Sequence, residues 1–76
     1  MSNDELVGLL AEGLEVEPGT LSPDTRIADV DEWTSIGWLS IMSLADERLG
    51  VQLDAQAIRG FKTVSDVTQY LQSKAA

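Results

Sequence analysis

The chain has no cysteine and no histidine among its 76 residues. Without cysteine there are no disulfide bridges, thiol nucleophiles or zinc-thiolate sites, and without histidine the usual general base near neutral pH is missing. A chain this short also buries too little apolar surface for a second core or a deep substrate pocket. We therefore expect a single domain, residues 1–76, that is not itself an enzyme.

Basic side chains are scarce. Five Lys and Arg residues stand against thirteen Asp and Glu residues, which gives a formal net charge of −8. Nucleic acid and anionic lipid headgroups carry the same sign of charge, so we expect basic protein partners and no nucleic acid. No apolar run approaches the roughly 20 residues that span a bilayer, and no targeting segment is evident. We expect no membrane insertion and a cytoplasmic monomer.

Apolar residues recur at helical spacing in four segments, so the sequence predicts an all-α fold. The predicted helices cover residues 3–14, 35–49, 54–58 and 63–73. Ser2 or Asn3 is available to cap the first helix, and Gly50 is suited to end the second. Thr63 and Asp66 form a capping-box pattern at the start of the fourth.

A long loop separates the first two helices. Residues 16–34 show no sustained period and contain Pro18-Gly19 and Ser22-Pro23, which are turn-forming pairs. Leu21, Ile27 and Val30 are the apolar residues that we expect to pin this loop to the core. Ser22-Pro23 also suits the start of a short helical turn.

Acidic residues gather near the end of this loop, at Asp29, Asp31 and Glu32. Their spacing is not that of a calcium loop, so we interpret them as a solvated segment and expect no metal site. Weak binding of a divalent ion is the alternative. Trp33 and Trp38 are predicted to pack the loop against the second helix.

Ser35 stands where the loop ends and the second helix begins. Unpaired N–H groups at a helix start carry partial positive charge, so a phosphate ester on this serine would be favourably placed. The same hydroxyl is also suited to be only the N-cap of the helix, and Thr34 can fill that role too. The residues alone leave both interpretations open.

One side of the second helix places large aliphatic residues at the surface. On a helical wheel Ile36 lies opposite the apolar stripe, and Leu39 lies on its shoulder. Apolar anchors rimmed by charge are typical of a face that contacts other proteins, although isolated exposed apolar residues are also common. The predicted partner-recognition residues are Thr34, Ile36, Gly37, Leu39, Ser40, Ser43, Asp46 and Glu47.

Nearly the whole chain resembles the acyl carrier proteins and the peptidyl carriers of polyketide and nonribosomal assembly lines. In that family an Asp-Ser-Leu motif opens the second helix, and its serine carries 4′-phosphopantetheine. Thr34-Ser35-Ile36 occupies that place here, within flanks that include Trp33 and Gly37. These flanks are similar to a freestanding Trp-Asp-Ser-Leu-Gly subgroup, which suggests specialised metabolism. Thr34 replaces the family's usual aspartate, and Gly37 replaces an acidic residue that often follows.

The resemblance implies a small four-helix carrier bundle with a long first loop and a short third helix. It implies an arm derived from coenzyme A on Ser35, holding an acyl group as a thioester in a polyketide or lipid-like pathway. The implied partners are a phosphopantetheinyl transferase, an acyl-activating ligase or acyltransferase, and condensing enzymes. Two alternatives stay open, namely a peptidyl or aminoacyl carrier and an unmodified interaction module of the same fold.

Overall fold

Four α-helices make up the bundle in a computed structural model that describes residues 2–75. The helices are α1 (Asn3–Leu14), α2 (Ser35–Leu49), α3 (Ala55–Gly60) and α4 (Val64–Ala75). Within the described residues the only β-type pairing is one isolated antiparallel bridge between Arg26 and Thr63. The predicted all-α class, with its long first loop and short third helix, is confirmed. No helix between residues 2 and 75 is long and apolar enough to cross a membrane.

Helix α1 begins with a complete capping box. The backbone N–H of Glu5 donates to Ser2 Oγ over 3.2 Å, and the Ser2 N–H donates back to Glu5 Oε1 over 3.1 Å. The hydrogen bond from the Ser2 backbone is the main cause of a lowered pKa at the Glu5 carboxyl. The helix ends at Glu15 in the left-handed conformation, with φ of 60°. A non-glycine residue pays about 1–2 kcal/mol for that conformation.

Helix α2 has the bounds that the sequence predicts. Gly50 ends it with φ of 67°, where the missing Cβ removes the steric cost. Its apolar stripe faces inward as expected, because Ile41 and Ala45 are buried and the neighbouring stripe residues pack against the core. An ion pair between Arg48 of α2 and Glu12 of α1 joins the two helices at the surface. Its hydrogen bonds raise the pKa of the arginine.

The core lies where α1, α2 and α4 meet. Its largest apolar side chains with less than 2% exposure are Leu6, Leu10, Ile41, Val64, Val67 and Leu71. Full burial of such a side chain stabilises the fold by about 1.5–3 kcal/mol relative to leaving it in water. This shared core fixes α2 against α1, and it therefore fixes the position of the residues at the start of α2.

The long loop is pinned as predicted, but its local structure differs from the prediction. Leu21 is buried, and Ile27 and Val30 pack against the core. Two short 3-10 helices occupy Pro18–Thr20 and Ile27–Asp29. Residues 22–25 form a turn in which the Thr25 N–H donates to the Ser22 carbonyl over 3.0 Å, instead of the helical turn that Ser22-Pro23 suggested. These turns fix the direction in which the chain approaches α2.

The last two helices are longer than the sequence pattern predicts. Asp54 caps α3 by accepting the Ala57 N–H over 2.7 Å, and the helix continues to Gly60. At the start of α4 Asp66 Oδ2 accepts the Lys62 and Thr63 N–H groups over 2.9 and 3.1 Å. These two bonds, that from Lys62 first, lower the pKa of Asp66. Helix α4 runs to Ala75 and does not fray near residue 73.

A row of aromatic rings connects the loop to the last two helices. Trp33 lies 5.2 Å from Trp38 between ring centroids, Trp38 lies 6.1 Å from Phe61, and Phe61 lies 5.3 Å from Tyr70. The row confirms that both tryptophans are packing residues. It also places the end of α3 beside the first turns of α2.

Candidate functional site

The chain is held tightly just before Ser35. Trp33 is buried with 7% of its surface exposed, and its backbone N–H donates to the Val30 carbonyl over 3.0 Å. The next N–H, that of Thr34, donates to the Glu32 carbonyl over 2.9 Å. Because side chain and backbone are both anchored on the loop side, the serine enters the helix from a fixed position.

Thr34, and not Ser35, is the N-cap of α2. Thr34 Oγ1 accepts the Gly37 N–H over 3.3 Å, and the Thr34 carbonyl accepts the Trp38 N–H over 2.9 Å. Ser35 is the first residue of the helix, and it is exposed. Its hydroxyl therefore has no capping role, which removes the interpretation of Ser35 as an N-cap alone.

The start of α2 is electrostatically suited to an anion. The amides of Ser35 and Ile36 have no acceptor within the helix by their position, so they add to the positive end of the helix dipole. The first turn of α2 contains no acidic residue that would neutralise this charge. An exposed hydroxyl beside free amides fits a phosphate ester, which is the bond by which 4′-phosphopantetheine is attached.

Most of the predicted partner-recognition residues lie at the surface. Ile36 and Leu39 are 75% and 64% exposed, and they are the exposed large apolar side chains within residues 2–75. We call these two residues the aliphatic pair. Thr34, Ser43, Asp46 and Glu47 are also exposed, and Ser40 is half-buried. The surface next to Ser35 therefore combines apolar side chains with small hydroxyls, while its acids lie further along α2.

Gly37 differs in burial from the other predicted partner-recognition residues. It is buried beneath Glu32 and Leu14, so it exposes little surface of its own, although it lies on the wall of the open groove beside α2. Glycine has no side chain, so the hydropathy pattern gives no signal that would distinguish a buried glycine from an exposed one.

An open groove runs along α2 beside the aliphatic pair. The end of α1 and the end of the loop form its opposite wall, with side chains that include Glu12, Leu14, Glu15 and Glu32. The sequence analysis missed the contribution of α1 to this groove. The acids at the end of α1 were visible in the sequence, but nothing local shows that they face α2.

Comparison with known proteins agrees with this geometry. A family model described as "Phosphopantetheine attachment site" matches residues 4–71. Acyl carrier protein MbtL of Mycolicibacterium paratuberculosis is 33% identical over 63 residues, covering 83% of this chain and 71% of that protein. An acyl carrier protein of Renibacterium salmoninarum is 32% identical over 80 residues, covering 99% and 98%. The meromycolate extension acyl carrier protein of Mycolicibacterium aurum is 28% identical over 75 residues, covering 93% and 77%.

Proposed function

This chain belongs to the acyl carrier protein family, whose members bear covalent 4′-phosphopantetheine, and we propose that Ser35 is the residue that carries the group. The observation that supports this assignment is that two neighbouring hydroxyl residues have different roles at the start of α2. Thr34 provides the cap, and the exposed Ser35 hydroxyl is left for chemistry. When bound, the group supplies a thiol on which an acyl chain is held as a thioester.

The residues of this chain present the arm but do not catalyse its attachment. Attachment joins Ser35 Oγ to the phosphorus that bears the pantetheine arm of coenzyme A. The pyrophosphate P–O bond breaks, adenosine 3′,5′-bisphosphate leaves, and a base must accept the hydroxyl proton. Because the chain has no histidine and the first turn of α2 has no acidic residue, we assign that base to the transferase. The amides at the start of α2 then stabilise the new phosphate, and the pinned loop holds the serine outward.

We further propose that partner enzymes dock on the aliphatic pair and the groove beside it. These partners are a phosphopantetheinyl transferase, an acyl-activating ligase or acyltransferase, and condensing enzymes. The net charge of −8 and the glutamates of the groove favour basic partner surfaces and speed their encounter. Chemistry on the acyl group takes place in those enzymes.

The cargo that we propose is an acyl chain of a specialised lipid or polyketide-like pathway. Support comes from the relatives, which include meromycolate extension acyl carrier proteins at 25–28% identity. The flanks of Ser35 also resemble freestanding carriers. An aminoacyl cargo and an unmodified interaction module are the outcomes that would replace this proposal.

Incubation with coenzyme A and a broad-specificity phosphopantetheinyl transferase tests the attachment site. Intact-mass measurement should show one added phosphopantetheine on the wild type and none on Ser35→Ala. Far-UV circular dichroism should be unchanged, because Thr34 still caps α2. Arm attachment to the alanine variant would place the site elsewhere. If the wild type remains unmodified here and when purified from its own host, the interaction module is the better description.

A further inference from the structure

Gly37 lies in a space that admits no side chain. A Cβ built on it would be 2.8 Å from the Glu32 carbonyl oxygen and 2.9 Å from Leu14 Cδ2. Both distances are shorter than real Cβ atoms show, so something must move if residue 37 gains a side chain. Leu14 is a core residue with 5% exposure, and the Glu32 oxygen belongs to the backbone. Neither can give way without disturbing its surroundings.

The crowded carbonyl is part of the local structure that holds Ser35. The Glu32 oxygen accepts the Thr34 N–H over 2.9 Å, and Thr34 Oγ1 accepts the Gly37 N–H over 3.3 Å. Glu32, Thr34 and Gly37 thus form a closed circuit of two hydrogen bonds and one close approach, that of the Glu32 carbonyl to the side of Gly37 where a Cβ would lie. Ser35 lies inside this circuit, between Thr34 and Gly37 in the chain.

We infer that Gly37 is a positioning residue for the modification of Ser35. Without a Cβ it lets the loop carbonyl rest directly on the first turn of α2, and that contact fixes Thr34 and the serine hydroxyl relative to the docking surface. Its effect on the reaction passes through Thr34 and Ser35, because it has no side chain and is mostly buried against Glu32 and Leu14. The inference rests on the proposed attachment at Ser35.

Other glycines of the chain offer matched controls. A Cβ at Gly13 of α1 would meet Ile41 Cγ1 at 3.0 Å and the Ile41 backbone nitrogen at 3.3 Å. Gly13→Ala therefore strains the contact between α1 and α2 without touching the Glu32–Thr34–Gly37 circuit. A Cβ at Gly8 would meet nothing within 4 Å, so Gly8→Ala controls for the change in helix propensity alone.

The test is the steady-state kinetics of a broad-specificity phosphopantetheinyl transferase, with wild type, Gly37→Ala, Gly13→Ala and Gly8→Ala as carrier substrates. For Gly37→Ala we expect kcat to fall at least tenfold while KM stays within twofold. A displacement of about 1 Å between reacting groups costs on the order of a hundredfold in rate, whereas the aliphatic pair still docks. Gly8→Ala should keep the wild-type kcat. Gly13→Ala should keep it too, with any change confined to KM, because Gly13 lines the docking groove.

A merely structural role gives a different result. Partial unfolding of a substrate protein lowers its effective concentration, so it raises the apparent KM and leaves kcat unchanged. Unchanged kcat for Gly37→Ala, or an equal loss for Gly13→Ala, would overturn the inference. If Ser35→Ala abolishes attachment and Gly37→Ala does not slow it, only this inference is contradicted. If the wild type accepts no arm, the proposed function is contradicted as well.

A second pair of variants keeps the test decisive if Gly37→Ala does not fold. Thr34→Ala opens the circuit at the hydroxyl without adding bulk, and Thr34→Ser restores the acceptor. We expect kcat to fall at least threefold for the alanine variant and to return to the wild-type value for the serine variant. Equal kcat values for all three proteins would contradict the inference.

Discussion

The starts of α1 and α4 differ from the start of α2 in one position. All three helices use a hydroxyl cap, from Ser2, Thr63 and Thr34 in turn. At the third helical position α1 has Glu5, which accepts the Ser2 N–H, and α4 has Asp66, which accepts the Lys62 and Thr63 N–H groups. Helix α2 has Gly37 in that position.

The third residue distinguishes helix starts that only stabilise the bundle from the start that bears the proposed attachment site. A carboxylate in the first turn offsets the positive end of the helix dipole and satisfies amides that have no other acceptor. Helices α1 and α4 each have both a hydroxyl cap and a carboxylate acceptor at their start. The start of α2 keeps its positive end free, so the phosphate ester proposed on Ser35 takes the electrostatic place that carboxylates fill elsewhere.

The largest effect on stability is expected when α2 is given the same third residue as α1. Gly37→Glu should lower the free energy of unfolding by about 1–3 kcal/mol, the usual cost of overpacking. The glutamate would gain little, because the Thr34 N–H that a capping box would bind already donates to Glu32. Urea denaturation of both proteins measures the difference, and a variant more stable than the wild type would show that α2 merely lacks an optimal cap.

The stabilising effect of the carboxylate at the start of α4 can be tested by its dependence on pH. Because the folded state lowers the pKa of Asp66, its ionised carboxylate stabilises the fold above the unfolded value, about 3.9, and the contribution disappears as the pH falls through the lowered value. Asp66→Asn should therefore melt below the wild type at pH 7, with the gap closing in acid. Glu5→Gln should behave in the same direction.

Thermal melting followed by circular dichroism from pH 2 to pH 8 checks this expectation. A gap between the wild type and Asp66→Asn that is as large at pH 2 as at pH 7 would mean that the carboxylate acts through packing and not through its charge.

The smallest expected effect on stability is that of Thr34→Asp. Either residue can cap α2, and a negative charge suits a helix start, so the free energy of unfolding should change by less than about 1 kcal/mol. The added charge restores the family's usual residue beside the serine. We expect kcat/KM of a broad-specificity transferase to rise, measured at fixed salt because screening weakens charge effects. A lower kcat/KM would mark Thr34 as adapted to a dedicated transferase.

Sequence pattern was sufficient for the elements that depend on local chemistry. Helix α2 could be bounded from residues 34 and 50 because cap residues and apolar spacing agree there. The two 3-10 helices of the loop were missed, since three-residue turns have no periodicity to detect. Helices α3 and α4 were predicted too short, because their last residues, Arg59, Gly60, Lys74 and Ala75, are exposed and add nothing to the apolar pattern that marks a helix.

The candidate site was predictable only in part. The position of Ser35 and the exposure of Ile36 and Leu39 followed from the helical phase of α2. The choice of Thr34 as the cap did not, because both neighbouring hydroxyls are suited to it. The burial of Gly37 was equally hidden, because it depends on how the loop and the end of α1 approach α2.

The aromatic row gives this protein an intrinsic optical reporter. Its two tryptophans flank Ser35, two residues before and three residues after it in the chain, and their ring centroids are 5.2 Å apart. Trp33 belongs to the buried core, so its indole reports on the packing of the loop against α2. Tryptophan emission therefore arises from the segment that bears the serine, and events there can be followed without a label.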